Sequence, residues 1–204
     1  LTSNMVLTSL MDSKGRLWLG TYGGGINILL NSGFTSIKYL PEKFDGLKNR
    51  VIKSIQLDDE GTLWIGSQDN GLYTYKDERA YRPRTLNGME ISNQGNITTI
   101  YQDTKNAEWF LGPEGIFKHE NGKISQIDFN QNNAQAIVEQ DNGIYWIADF
   151  TQGLSKLENK KILHFNEHDA QLLQSNNIQT LGMGREHDLW VGHYNNGIDI
   201  VKDD

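Results

Sequence analysis

His164 and His168 stand four residues apart in the segment HFNEH. On a helix that spacing puts two imidazoles on one face, where they can hold zinc. The residues before them, KKILHF (160–165), read instead as a strand. His164 then falls in the strand and His168 in the loop after it, with no third ligand evident, so no metal site is expected. Paired carboxylates occur at Asp58/Asp59 and Asp203/Asp204. General acid–base chemistry uses such pairs, but these read as solvated turn and terminal charges. Gly23, Gly24 and Gly25 form a run of the kind that cradles phosphate only where a helix follows, and here a strand pattern follows. With no Cys in the chain, a thiol nucleophile and a Cys-ligated zinc are excluded. There is no P-loop, no GxGxxG and no arguable Ser-His-Asp order. His119 and His187 read as turn or edge residues. No cofactor and no catalytic residue is expected.

A different chemistry remains. Tyr22, Gln68, Asp69, Glu114, Asp149, Phe150, Gln152, His193 and Tyr194 combine aromatic rings with amides and carboxylates. That mixture suits sugar recognition, by stacking on a ring and forked hydrogen bonds. The residues fall in five short segments: TYGG (21–24), SQDN (67–70), PE (113–114), DFTQ (149–152) and HYNN (193–196). Singly, each is an ordinary polar turn residue. Collectively, they form a candidate ligand-binding face if the elements around them bring the five loops to one side.

Those elements repeat. Before each loop comes a lookalike turn and strand: DSKGRLWLG (12–20), DDEGTLWIG (58–66), DTKNAEWFLG (103–112), DNGIYWIA (141–148) and GREHDLWVG (184–192). The third copy aligns with Phe110 in the Trp slot and one extra turn residue. The anchors are then Trp18, Trp64, Phe110, Trp146 and Trp190, at spacings of 46, 46, 36 and 44 residues. After each loop comes a Gly-led run, such as GLYTYK (71–76) or GIFKHE (115–120). Before each turn comes a short apolar run, such as RVIKSIQLD (50–58). Four units add a fourth run: FTSIKYL, AYRPRTL, GKISQID and KKILHF. All are short, rich in β-branched and aromatic residues, and bounded by Gly, Asn and Asp, which is the strand-and-hairpin signature. Only EHDAQLLQS (167–175) admits a helical turn or two.

Four short strands per unit, repeated in tandem, predict an all-β chain: a β-propeller of about five four-stranded antiparallel blades, the last lacking its outer strand. The blades are expected at 1–46, 47–91, 92–130, 131–171 and 172–204. The Gly closing the second strand (Gly20, Gly66, Gly112, Gly192, with Ala148 in the fourth copy) is expected where a side chain would crowd the next blade. Asn4, Asn49, Asn96, Asn133 and Asn177 recur near the start of each unit, and are expected to satisfy backbone groups there. An incomplete last blade would leave sheet faces and edges open, so self-association as a dimer is expected.

Composition bounds the partners. Net charge is −7, from 19 Lys and Arg against 26 Asp and Glu, which disfavours nucleic acid and strongly anionic polymers. No apolar run nears the length of about 20 residues that spans a bilayer, so no membrane contact is expected within these residues. The first ten, LTSNMVLTSL, carry no basic stretch and no initiator Met, which suggests a processed or excised piece of a longer protein.

The pattern D-x-x-G-x-L-W-[IL]-G followed by Gly and an apolar residue resembles the two-component regulator propeller repeat. The resemblance implies the periplasmic sensor region of a hybrid two-component kinase or diguanylate cyclase, outside the cytoplasm and anchored to the membrane by parts not in this chain. It implies a non-enzymatic sensor module binding an oligosaccharide or other small ligand. The alternatives are a propeller enzyme of lyase or hydrolase type, recruiting His193, Glu114 and Tyr194, and a protein–protein scaffold.

Overall fold

A computed structural model describes residues 1–30, 33–36, 50–77, 79–81, 95–129, 133–141, 143–168 and 173–202. The expectations for Asn49, Asp203 and Asp204, for residues 37–40 and 82–86 of the fourth runs, and for 169–172 of the helical-turn segment lie outside them. The described chain is all β, in nineteen strands.

The first sheet comprises β1 (Val6–Met11), β2 (Leu17–Thr21), β3 (Gly25–Leu30) and β4 (Gly33–Ser36). The second comprises β5 (Ile52–Leu57), β6 (Leu63–Ser67), β7 (Gly71–Lys76) and β8 (Arg79–Tyr81). The third comprises β9 (Thr99–Gln102), β10 (Glu108–Gly112), β11 (Gly115–Glu120) and β12 (Lys123–Ile127). The fourth comprises β13 (Ala134–Asp141), β14 (Ile144–Asp149), β15 (Gly153–Glu158) and β16 (Lys161–Phe165). The last has three strands, β17 (Ile178–Met183), β18 (Leu189–His193) and β19 (Ile198–Val201). Each sheet is an antiparallel meander in chain order, and each of the first four packs its first two strands against the first strand of the next. This is a five-bladed β-propeller.

The cores lie between blades. Trp18 of the first sheet packs into a cluster with Ile52, Ile55, Leu63, Ile65 and Tyr73 of the second. Trp64 joins Ile97, Ile100, Phe110 and Phe117 of the third. Trp109 joins Ile137, Tyr145, Ile147 and Leu157 of the fourth. Trp146 joins Ile178, Leu189 and Val191 of the fifth. Alternation along β2, β6, β10 and β14 thus sends the Trp to the following blade, and along β6, β10, β14 and β18 its successor to the preceding one.

This corrects the reading of the third copy. Trp109, not Phe110, occupies the anchor slot. It pairs with Tyr101 across β9–β10 as Trp18 pairs with Leu10 across β1–β2 and Trp64 with Gln56 across β5–β6. Its indole N–H donates to Asp103 Oδ2 at 3.0 Å, as Trp18 donates to Asp12 at 2.9 Å and Trp64 to Asp58 at 2.8 Å. Each pair is six residues apart, so the third turn has no extra residue; Asn106, with φ 63°, takes the left-handed position of Gly15 and Gly61. Leu111, not Gly112, then fills the slot of Gly20 and Gly66. Those two glycines do face the next blade closely: a Cβ would stand 2.8 Å from Ile52 Cγ2 and from Ile97 Cγ2 respectively.

The turn carboxylates act as clamps. Asp12 Oδ1 accepts from the N–H groups of Lys14 and Arg16, both at 2.9 Å, and Oδ2 from Arg16 Nε and Trp18 Nε1. Burial alone would raise its pKa, but these hydrogen bonds hold it down at about 2. Asp103 accepts in addition from the Tyr145 hydroxyl of the fourth blade at 2.8 Å. There, too, burial is outweighed, and the carboxyl sits below its ordinary range. In the fourth blade Gln140 Oε1 replaces the carboxylate, 2.8 Å from Trp146 Nε1.

Candidate functional site

The face carrying the loops between second and third strands is built by two repeated backbone devices. The residue ending the second strand is Thr21, Ser67, Gly112, Asp149 or His193. Thr21 Oγ1 donates to the Gly25 carbonyl at 2.8 Å, and Ser67 Oγ to that of Gly71 at 3.1 Å. Asp149 closes its loop with a carboxylate. Its Oδ1 accepts from the N–H of Thr151 (2.8 Å) and of Gln152 (3.0 Å), and its Oδ2 from the N–H of Asn133 (3.0 Å). Sequence reading missed Thr21 and Ser67; the available signal was a small polar residue directly after the Gly of the W-x-G motif.

The next residue is Tyr22, Gln68, Pro113, Phe150 or Tyr194. The N–H groups of Tyr22, Gln68, Phe150 and Tyr194 donate to the carbonyls of Met5, Val51, Asn133 and Asn177 at 2.9, 3.0, 3.1 and 2.9 Å. Proline has no N–H to give. The recurrent Asn residues thus serve the turn through the main chain where they serve it, and Met5 and Val51 do the same job. One shared anchor puts these side chains at equivalent points of a single face.

The structure brings Phe150 and Tyr194 together. They belong to adjacent blades, with ring centroids 5.7 Å apart and planes at 78°. Tyr194 is 56% exposed, Phe150 half-buried, and Gln152 exposed on the same loop. Tyr22, Asp69 and Glu114 are exposed and Gln68 half-buried, each on its own blade. Among the described residues these four make no hydrogen bond or ring contact with one another.

Two of the candidate residues are turned inward. The Asp149 side chain is spent on its loop and the residue is 0% exposed. The His193 side chain is also 0% exposed; its Nε2 lies 2.7 Å from Asp199 Oδ2. Asp199 accepts as well from Gln174 N–H at 2.8 Å and from Gln174 Nε2 at 2.6 Å. Burial pushes the Asp199 carboxyl up, but these bonds and the imidazole hold it below its ordinary range. Neither Asp149 nor His193 presents a group to a ligand without rearrangement.

The opposite face carries the hairpin turns. Between the second and third blades it holds a hollow of about 380 Å³, lined by Asp58, Glu60, Trp64, Glu108, His119 and Glu120 among others. His119 Nδ1 lies 2.7 Å from Glu108 Oε2, and its ring 5.6 Å from that of Trp64. His119 therefore sits inside β11 and not, as expected, in a turn or on an edge. Among the described residues no group of three His, Asp or Glu side chains is arranged to hold a metal ion. His164, in β16, meets the Ser155 hydroxyl at 2.8 Å, while His168 lies in the turn beyond.

The architecture is shared widely. The extracellular domain of BT4673 from B. thetaiotaomicron, described as a hybrid two component system, superposes with a TM-score of 0.51 at 13% identity, over 99% of this chain and 34% of that one. PorZ, a surface component of the type-IX secretion system of Porphyromonas gingivalis, superposes with a TM-score of 0.69 at 20% identity, over 96% and 31%. Streptogramin B lyase superposes with a TM-score of 0.66 at 14% identity, over 98% and 69%. At these identities the likeness is one of fold. The chain spans about a third of the length of the first two. No curated protein matches the sequence. The family described as two component regulator propeller matches residues 1–23 and 46–69. Those segments hold β1–β2 and β5–β6 with their Asp12–Trp18 and Asp58–Trp64 clamps, so the match to that family falls on the first two strands of blades one and two.

Proposed function

We propose that this chain is a ligand-sensing propeller module of an extracytoplasmic receptor, and that its loop face binds a neutral oligosaccharide. The observation that carries this reading is the Phe150–Tyr194 pair. It sets an exposed aromatic surface across the junction of two blades, with Gln152 beside it. Sugar rings stack on such surfaces through their C–H faces, and amides and carboxylates take the hydroxyls. Tyr22, Gln68, Asp69 and Glu114 extend the same face over the other blades. The net charge of −7 favours a neutral ligand over an anionic one.

Placement at a blade junction also supports signalling. A ligand that wedges between Phe150 and Tyr194 binds one relative setting of blades four and five better than another. It shifts the population by that difference in affinity and by no more. The lyase alternative lacks support here: the imidazole on this face, His193, is buried against Asp199.

The test is a thermal-shift screen against neutral oligosaccharides. A ligand at a hundredfold excess over Kd should raise Tm by roughly 5–10 °C for a chain of this size. Tyr194→Ala and Phe150→Ala should each abolish most of that rise. If no sugar moves Tm, or if the rise survives both substitutions, the assignment is wrong.

A further inference from the structure

We infer that the hollow between blades two and three is a second ligand site, and that it takes a small ammonium cation with a neighbouring hydroxyl, the unit an unacetylated amino sugar carries. The observations concern one cross-strand row seen in every blade. The residue before each anchor Trp pairs with one residue on the first strand and one on the third. In blade one the row is Met11, Leu17 and Leu29. In blade two it is Leu57, Leu63 and Tyr75, and in blade five Met183, Leu189 and Val201. In blade four it is Glu139, Tyr145 and Leu157. In blade three it is Gln102, Glu108 and His119, and no member is apolar. The position faces the Trp of the preceding blade and elsewhere packs against it: Leu63 joins Trp18, Tyr145 joins Trp109 and Leu189 joins Trp146. Against Trp64 stands instead the His119 ring, 5.6 Å away, backed by a carboxylate.

The fold leaves polar atoms of this row unused. The Glu108 side chain is 8% exposed. Its Oε2 lies 2.7 Å from His119 Nδ1, and among the described residues its Oε1 meets no donor. Glu139, the polar member in blade four, differs. Its Oε2 accepts from Thr104 N–H at 2.7 Å and its Oε1 from Gly143 N–H at 3.1 Å. Gln102 stands directly across from Glu108, and its Nε2 is buried with no hydrogen-bond partner among the described residues. A buried carboxylate and a buried amide with free valences cost stability unless a complementary group meets them. Both line the hollow, whose volume of about 380 Å³ is that of a small-ligand pocket.

An ammonium group answers the free oxygen of Glu108 through a charge-assisted hydrogen bond. A hydroxyl oxygen on the adjoining carbon accepts from Gln102 Nε2. The rim carries Asp58, Asp59, Glu60 and Glu120 against Lys105. Lys76 and Lys118 pair with Glu60 and Glu120, and the balance still favours a cation over an anion. A metal ion needs more ligands than converge here among the described residues, whereas an ammonium is met by one buried carboxylate and its acidic surroundings.

The test is calorimetric titration of the whole chain with glucosamine, and with N-acetylglucosamine as the same ring without the charge. Glucosamine should bind one to one, and N-acetylglucosamine about tenfold more weakly or worse. Glu108→Gln keeps the side-chain shape and should weaken glucosamine about tenfold or more. Gln102→Leu puts the residue type of Leu57 in the row, so it should fold with Tm unchanged or raised, yet bind glucosamine about threefold more weakly or worse. Glucosamine should also move the NMR signals of the His119 ring. The loop face lies at the other end of the blades, so Tyr194→Ala should leave this binding unchanged, and either site can fail without the other. No binding of glucosamine to the unmodified chain overturns the inference. So does equal binding of N-acetylglucosamine, or an affinity that survives both Glu108→Gln and Gln102→Leu. A Gln102→Leu chain that melts lower and binds as before marks the row as packing and overturns it as well.

Discussion

The indole nitrogen of Trp109 lies 3.0 Å from Asp103 Oδ2, and the hydroxyl of Tyr145, from the next blade, lies 2.8 Å from the same oxygen. One buried carboxylate thus holds the turn of its own blade, orients the Trp that fills the inter-blade core, and ties that core to its neighbour. Lys118 adds charge at 3.6 Å and lies 5.0 Å from the centre of the Trp109 ring.

Removing that carboxylate should therefore cost more than a surface change. Asp103→Ala strands the N–H groups of Lys105 and Ala107, the Trp109 indole and the Tyr145 hydroxyl. A loss of about 3–5 kcal/mol in urea unfolding is expected. Tyr145→Phe removes one bond only and should cost about 1–2 kcal/mol. Equal effects from the two substitutions would contradict a shared hub.

Stability should fall in acid. Asp12 titrates at about 2 in the folded chain against 3.8 as its ordinary value, and Asp103 and Asp199 are displaced in the same direction. A depressed folded pKa contributes stability that is fully present above the unfolded value and is lost as pH falls through the folded one. Urea midpoints should hold steady down to about pH 5 and drop between about pH 4 and pH 2. Asp12→Asn should be less stable near neutrality and show a shallower drop.

Crowding at the closing Gly should be specific to its slot. In Gly66→Ala the new Cβ would meet Ile97 Cγ2 at 2.8 Å and the Ile97 carbonyl oxygen at 2.9 Å, and overpacking of this kind costs about 1–3 kcal/mol. Gly95→Ala, where no atom of the described residues lies within 4 Å, should change unfolding by less than about 0.5 kcal/mol. Paired denaturation curves would separate the two.

Ligand-face substitutions should leave the fold intact. Tyr194→Ala removes an exposed ring whose backbone N–H stays bonded to the Asn177 carbonyl. Its own unfolding should shift by no more than about 1 kcal/mol, while the sugar-induced rise in Tm disappears. A variant that loses both together would mark Tyr194 as a packing residue.

Repetition made most of the blade plan readable from residues alone. The Asp and Trp set six apart in copies one and two, the Gly-led third run and the short apolar first run each report local strand and turn preferences. The strands of each meander are neighbours in sequence, so local signals suffice. The third copy was misread because E-W-F-L-G offers two aromatics side by side, and composition does not distinguish them. The six-residue spacing from Asp103 to Trp109 was the available signal, and the Asp103 hydrogen bond and the pairing across β9–β10 place Trp109 in the slot.

The candidate face divides the same way. Sequence alone determined that five loops between second and third strands carry the unrepeated aromatics and amides, because strand alternation and the repeat place them at equivalent points. Only the tertiary structure decided that Phe150 and Tyr194 meet, that Asp149 and His193 turn inward, and that Trp190 stands uncovered. Each of these depends on the packing of one blade against the next. A ring contact across a junction and a carboxylate capping its own loop arise from positions far apart or from rotamers, and neither is written in the order of residue types.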